Sequence, residues 1–447
     1  MKPLTIKHVI LLLLPALLVG CASMNARYEL NQPLEPGAKK TAEAAEKLPQ
    51  RSDKTLFLMS FSGGGTRAAA LSYGVLQELK NTHARIGRNR SERRLLDEID
   101  YISSVSGGSF TAAYYGLFGD AIFDDFEKVF LRKDIEHGLT SWLISVDMVK
   151  RLLSPLYGRS DGVADYYHRF VFRKKNLDEL IDRNGPYVEI NAADFGRGAR
   201  FGFSAARLNL ICTDPESITV ARAVAASSAV PVIFSPITLR NYADQCPHTV
   251  PEWVIEALKQ KHSNGRRYRE AVTFMSYMNP GQRRYIHLLD GGLVDNLGVR
   301  ASIARSIRAG SLEHSLNVRG KNSTDRIIFI VVDAATKSAA KWDRFPGEPP
   351  TDVVVSNATS MPLEQINFET LELLRSQMQE WKDLKENRDF HIIYLSFDQL
   401  EKAEREAMQE IPTSFSLEQD QVDKLIEVGG RLLRNNPEYQ RWLKDVQ

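Results

Sequence analysis

Three short stretches of this 447-residue sequence carry residue types that could do chemistry: Ser104-Val105-Ser106-Gly107-Gly108, Gly63-Gly64-Gly65 and Asp290-Gly291-Gly292. Ser106 has small residues two before and two after it, as a tight strand-to-helix turn needs if it is to expose a hydroxyl. The helix after such a turn offers backbone N–H groups and a positive dipole end to a developing anion. Ser106 is the candidate nucleophile. The three glycines let amides point inward with no Cβ in the way, which suits an oxyanion hole. Arg67, two residues further on, either anchors that loop or meets an anionic head group. Asp290 ends a β-like run beside two glycines, where it can orient a serine hydroxyl or act as base toward it.

The same residues bear on other chemistries. Strand, glycines and helix also open a nucleotide-binding fold, but no Gly-Lys-Ser/Thr follows and the next strand ends in a serine turn rather than in a ribose-binding acid. A Ser/His/Asp triad would need a late histidine, for which His314 and His391 are the candidates. His287, three residues before Asp290, points to the opposite strand face. Asp295 and Asp333 read as helix or turn caps. No cluster of His and Cys has metal-ligand spacing.

Taken together, Gly63-Gly64-Gly65-Thr66-Arg67, Ser104 to Gly108, Ala225-Ala226-Ser227-Ser228-Ala229-Val230-Pro231 and Asp290 to Gly292 resemble, in order, the four motifs of the patatin-like phospholipases. The resemblance spans roughly residues 55 to 300. It implies a three-layer α/β fold with a mainly parallel central sheet, and a Ser106/Asp290 dyad that needs neither histidine, metal nor cofactor. It also implies oxyanion amides at Gly63, Gly64, Gly65 and Thr66. Two residues depart from the family pattern: Ser104 stands where glycine is usual, and Ala68 follows Arg67 where another glycine is common. The implied activity is hydrolysis of membrane phospholipid or lysophospholipid esters through an acyl-enzyme. An acyltransferase using the same dyad and a non-catalytic lipid-binding lipoprotein are the alternatives.

The elements that must position these residues can be read from pattern. Leu56 to Ser60 and Tyr101 to Val105 are buried β-like runs, and Ala68, Leu71, Val75, Leu76 and Leu79 recur at helical spacing. A helix-rich insertion covers about 120–184, with Trp142, Val146, Val149, Leu153 and Leu156 on one helical face. Val188 to Ala192 and Ala199 to Ser204 pair around a glycine turn. A charged insertion follows at 241–284. After Asp290 come a strand from Ile327 to Val332, a helix from about Leu363 to Leu384 and a strand from His391 to Ser396. This alternation supports a mainly parallel sheet with helices on both faces. A tail helix from Leu417 to Leu433 is expected to break at Gly429-Gly430.

The amino end has its own pattern. Lys2 and Lys7 precede the apolar run Val9 to Val19, which has the form of a secretory signal, and Leu18-Val19-Gly20-Cys21 resembles a bacterial lipobox. The expected layout is a signal peptide over 1–20, a lipidated tether over 21–54, a catalytic domain over 55–400 and a C-terminal helical segment over 401–447. Lipid on Cys21 and Ala22 after it imply an outer-membrane lipoprotein of the cell envelope. Net charge is +2, so nothing calls for nucleic acid, and runs such as Arg85 to Arg94 and Arg169 to Lys175 read as solvated faces. Cys212 and Cys246 are the remaining thiols; an oxidising compartment permits their pairing, and the sequence leaves it open.

Overall fold

The computed structural model describes residues 30–35, 48–49, 51–52, 54–86, 91–143, 157–181, 185–231, 233–247, 249–336 and 346–446. The signal segment, Cys21, and Val146, Val149, Leu153 and Leu156 lie outside them. The strands are β1 (Thr55–Phe61), β2 (His83–Ile86), β3 (Ser91–Arg94), β4 (Tyr101–Val105), β5 (Tyr187–Asp194), β6 (Ala199–Phe203), β7 (Ile237–Arg240), β8 (Tyr285–Asp290), β9 (Arg326–Asp333) and β10 (Asp389–Ser396). The helices that matter most are α1 (Gly65–Asn81), α2 (Gly107–Phe118), α3 (Arg159–Phe170), α4 (Val220–Ser227), α5 (Gly292–Asp295), α6 (Arg300–Ala309), α7 (Thr351–Asp383), α8 (Gln419–Asn435) and α9 (Pro437–Val446).

One eight-stranded sheet runs β10-β9-β1-β4-β5-β8-β7, with β6 paired to β5. The half from β10 to β5 is parallel, whereas β6 and β8 join β5 antiparallel and β7 joins β8 antiparallel. The expected mainly parallel α/β architecture is present, with an antiparallel flank that carries Asp290. Strand alternation explains the layers. Phe57, Met59 and Phe61 enter one core with residues of α1, α2 and α8, while Leu56 and Leu58 enter a second with Val299, Leu374 and Trp381. Each such side chain contributes about 1.5–3 kcal/mol by leaving water.

Several expectations change. Gly429 and Gly430 do not break the tail helix; α8 runs through them. A Cβ at Gly429 would lie 2.3 Å from the Leu71 carbonyl oxygen, and one at Gly74 would lie 2.0 Å from that of Ile426. Small residues let α1 and α8 touch backbone to backbone. The long helix begins at Thr351, twelve residues before the expected start, and runs through Pro362. Residues 30–35 are no free tether: Asn31 donates to Thr213 Oγ1 and the Arg240 carbonyl, and Leu34 N–H donates to the Cys212 carbonyl. On either side of residues 87–90, β2 and β3 pair antiparallel, and Arg94 pairs with Asp97 and Asp120. Strand β7, only four residues long, escaped the sequence reading; the charged insertion after it holds the helices Glu252–Lys259 and Gly265–Tyr277. Cys212 and Cys246 form a disulfide, with Cα atoms 5.8 Å apart. No helix among the described residues is long and apolar enough to cross a membrane.

Candidate active site

Ser106 sits between the end of β4 and the start of α2 with φ 49° and ψ −121°, one of four non-glycine residues at positive φ among those described. A side chain in that region costs on the order of 1–3 kcal/mol, so the surroundings must hold it there. They do so through hydrogen bonds and close backbone packing. Ser106 N–H donates to Ser227 Oγ at 2.9 Å, and Ser227 Oγ–H donates to the Asn191 carbonyl at 2.6 Å. A Cβ at Gly107 would lie 2.0 Å from the Gly65 carbonyl oxygen, so the elbow and the glycine-rich loop meet with no side chain between them. Of the two departures from the family pattern, Ser104 is buried within β4 and donates to the Glu189 carbonyl, and Ala68 is buried in the first turn of α1.

Asp290 reaches Ser106 from the antiparallel flank. Ser106 Oγ–H donates to Asp290 Oδ2 at 2.8 Å, and Gly292 N–H donates to Oδ1 at 2.8 Å. The same segment that holds Ser106 also holds the aspartate: Asp290 N–H donates to the Ala229 carbonyl and Gly291 N–H to the Ser227 carbonyl. Burial pushes the Asp290 carboxyl up to about 6, against the opposing pull of the Gly292 N–H and the Ser106 hydroxyl. Ser106 and Asp290 are 7 % and 8 % exposed.

The glycine-rich loop divides its amides. Gly63 N–H donates to the Asn296 carbonyl and Thr66 N–H to the Ser414 carbonyl. Both belong to the expected oxyanion set, and both are already engaged. The N–H groups of Gly64, Gly65 and Gly107 have no acceptor among the described residues. Arg67 is not available to an anionic head group. It is 2 % exposed, and its guanidinium donates to the carbonyls of Ala334 and Ile411 and to Thr413 Oγ1. Burial lowers its pKa to about 10, with Asp333 opposing.

The side-chain bonds of His391 and His287 go elsewhere. His391 bonds Glu438 from β10, three strands from β4, and His287 bonds Thr238. Asp295 Oδ2 accepts the Arg300 N–H at the start of α6, and Asp333 Oδ1 accepts the Ala335 N–H, as capping residues do. Ser227 stands in one of the four motifs, but its task was not legible there, and neither Asn191 nor Ser414 was singled out; the Gly107 amide is the first of the helix N–H groups expected after the Ser106 turn. Of Ser227, Asn191 and Ser414, only Ser227 had a local signal, a buried small-residue helix end between elbow and aspartate.

The sequence matches no curated protein. Among solved structures it is similar to human GIVD cytosolic phospholipase A2, with a TM-score of 0.46 and 10 % identity. That likeness covers 88 % of this chain and 62 % of the human one. The family model described as patatin-like phospholipase matches residues 59–303, more than half of the sequence and a span that holds Ser106, Ser227 and Asp290. On that match the chain belongs to the patatin-like phospholipase family, a family of lipid acyl hydrolases.

Proposed function

We propose that this protein hydrolyses acyl esters of membrane phospholipids or lysophospholipids with Ser106 as nucleophile and Asp290 as its base. The observation that carries this reading is the 2.8 Å hydrogen bond from the Ser106 hydroxyl to a buried carboxylate, at an elbow of positive φ. Asp290 takes the Ser106 proton as Oγ attacks the ester carbonyl, and the tetrahedral oxyanion is met by the free amides of Gly64, Gly65 and Gly107. The protonated Asp290 then returns its proton to the departing alcohol, leaving the acyl group on Ser106. Water, deprotonated by Asp290, releases the fatty acid in a second addition and elimination. A carboxylate with a pKa near 6 is ionised at neutral pH and basic enough to share a proton with the serine.

The test is labelling of the protein lacking residues 1–21 with a fluorophosphonate, followed by mapping of the adduct and assay on phosphatidylcholine vesicles. Labelling of Ser106 that disappears in Asp290→Asn, together with fatty acid release, is expected. Absence of labelling in the folded protein overturns the catalytic reading in favour of a lipid-binding role.

Placement at a bacterial envelope belongs to the same proposal and rests on the Leu18 to Cys21 sequence. Several acyl chains on Cys21 would hold the enzyme at its substrate, each buried CH₂ contributing about 0.8 kcal/mol. Mass spectrometry of membrane fractions decides it: Cys21→Ser is expected to lose the acyl mass and the membrane association together.

A further inference from the structure

Beyond residue 303, where the family match ends, the chain returns to the catalytic centre. Residues 411–416, between the helix Lys402–Glu410 and α8, lie across the glycine-rich loop. The Ser414 carbonyl accepts the Thr66 N–H at 2.9 Å, and it also occupies the space beside Gly65, where a Cβ would come within 2.4 Å of it. Gly65 has φ 61°, so both its backbone conformation and its neighbour demand glycine. Two residues along, the Arg67 guanidinium ties its own helix to two other pieces of chain. Nε donates to the Ala334 carbonyl beyond β9, Nη1 to the Ile411 carbonyl and Nη2 to Thr413 Oγ1.

The far end of the segment is tied down too. Phe415 packs edge-on against Phe234, with ring centroids 5.4 Å apart, and its N–H donates to Glu136 Oε1. Ser416 Oγ accepts the Glu136 N–H and donates to Asp134 Oδ1. The segment therefore spans from the glycine-rich loop to the helical insertion.

Resting on the dyad reading above, we infer that residues 411–416 form a strap that positions the oxyanion loop, with Arg67 and Thr413 as positioning residues. By taking the Thr66 amide, the strap fixes the peptide planes that precede it and leaves the Gly64 and Gly65 amides as the donors facing the elbow. Arg67 holds the strap in place through fixed geometry rather than by charge toward substrate. A guanidinium suits this task because its planar fork donates along several directions at once. The strap acts on transition-state stabilisation and leaves ground-state binding of lipid to the walls of the site.

The experiment is steady-state hydrolysis of a soluble p-nitrophenyl acyl ester by wild type, Ser106→Ala, Arg67→Met, Arg67→Lys and Thr413→Ala, with thermal melts alongside. Thr413 is exposed, so its variant folds whatever the fate of Arg67→Met. Expected are a kcat lower by about 100-fold in Arg67→Met and by about 5-fold in Thr413→Ala, each with KM within about 2-fold of wild type. Arg67→Lys, which keeps the charge and loses the fork, is expected to fall with Arg67→Met. Wild-type kcat in folded Thr413→Ala, or KM rising in place of kcat, overturns the strap while leaving the dyad intact. Turnover that persists in Ser106→Ala overturns the dyad and the strap together.

Discussion

Ser227 Oγ accepts the backbone N–H of Ser106 at 2.9 Å, across 121 residues of sequence, while the Ser227 carbonyl accepts the N–H of Gly291 next to Asp290. One residue at the end of α4 thus holds the backbones on both sides of the proposed dyad. The 2.8 Å contact between Ser106 and Asp290 is set by a third party, and its tolerance to change at that party is measurable.

Ser227→Ala removes the acceptor for the Ser106 N–H and leaves that donor buried. The loss is expected to cost about 1–3 kcal/mol of stability, and kcat is expected to fall about 10- to 100-fold with KM little changed. Chemical denaturation and steady-state kinetics on the same preparation check both numbers.

Ser106→Ala and Asp290→Asn are each expected to lower kcat by at least about 10³-fold. Their stabilities separate them. The folded protein binds the Asp290 proton more tightly than the unfolded chain does, so this group's contribution to stability is present at low pH. It is lost as pH rises from about 4 to the folded value of about 6. Asp290→Asn lacks that loss. Its stability relative to wild type is expected to grow between pH 4 and 6, by up to about 3 kcal/mol, and to stay level above. Urea melts across that pH range measure the difference.

The pH–rate profile follows from the same carboxyl. The base works only when ionised, so kcat/KM for a neutral ester is expected to be flat above about pH 6.5. It is expected to fall tenfold per unit below about pH 6. A descending limb centred on pH 4 would mean that Asp290 titrates as an exposed aspartate and not as the buried base.

Gly107→Ala would drive a Cβ to 2.0 Å from the Gly65 carbonyl oxygen, at the contact between the elbow and the glycine-rich loop. Both backbones must move apart. The expected cost is about 1–3 kcal/mol, with loss of fluorophosphonate labelling, because the displaced amides are the proposed oxyanion donors. Labelling at the wild-type rate would remove Gly107 and Gly65 from the oxyanion site.

The Cys212–Cys246 disulfide closes a 34-residue separation that contains α4 and β7. Cys212→Ser with Cys246→Ser is expected to lower stability by about 3–4 kcal/mol on the loop-entropy scale. A change in ester turnover well beyond the change in folded fraction would show that the bridge also supports the Ala225 to Pro231 segment.

Ser106, Asp290 and the glycine triplet were legible in the sequence because each sits in a local pattern. A serine between small residues, glycines after a strand and an aspartate at a strand end are dictated by turns only a few residues long. The parallel half of the sheet was legible for a similar reason, since strands buried on both faces read as continuous apolar runs. What the sequence alone could not decide is which groups remain free once the chain has folded. Arg67 has the same composition around it whether it faces lipid or is buried; the arrival of Ile411 and Thr413, some 344 and 346 residues away, decides that it is buried. The Gly63 and Thr66 amides look as available as those of Gly64 and Gly65 until the Asn296 and Ser414 carbonyls engage them. Gly429 and Gly430 read as a helix break, and only the approach of α1 shows that they are a contact surface. Local pattern determines turns and periodicities because those depend on neighbours along the chain; the state of a hydrogen-bonding group depends on neighbours in space, and these the tertiary fold alone supplies.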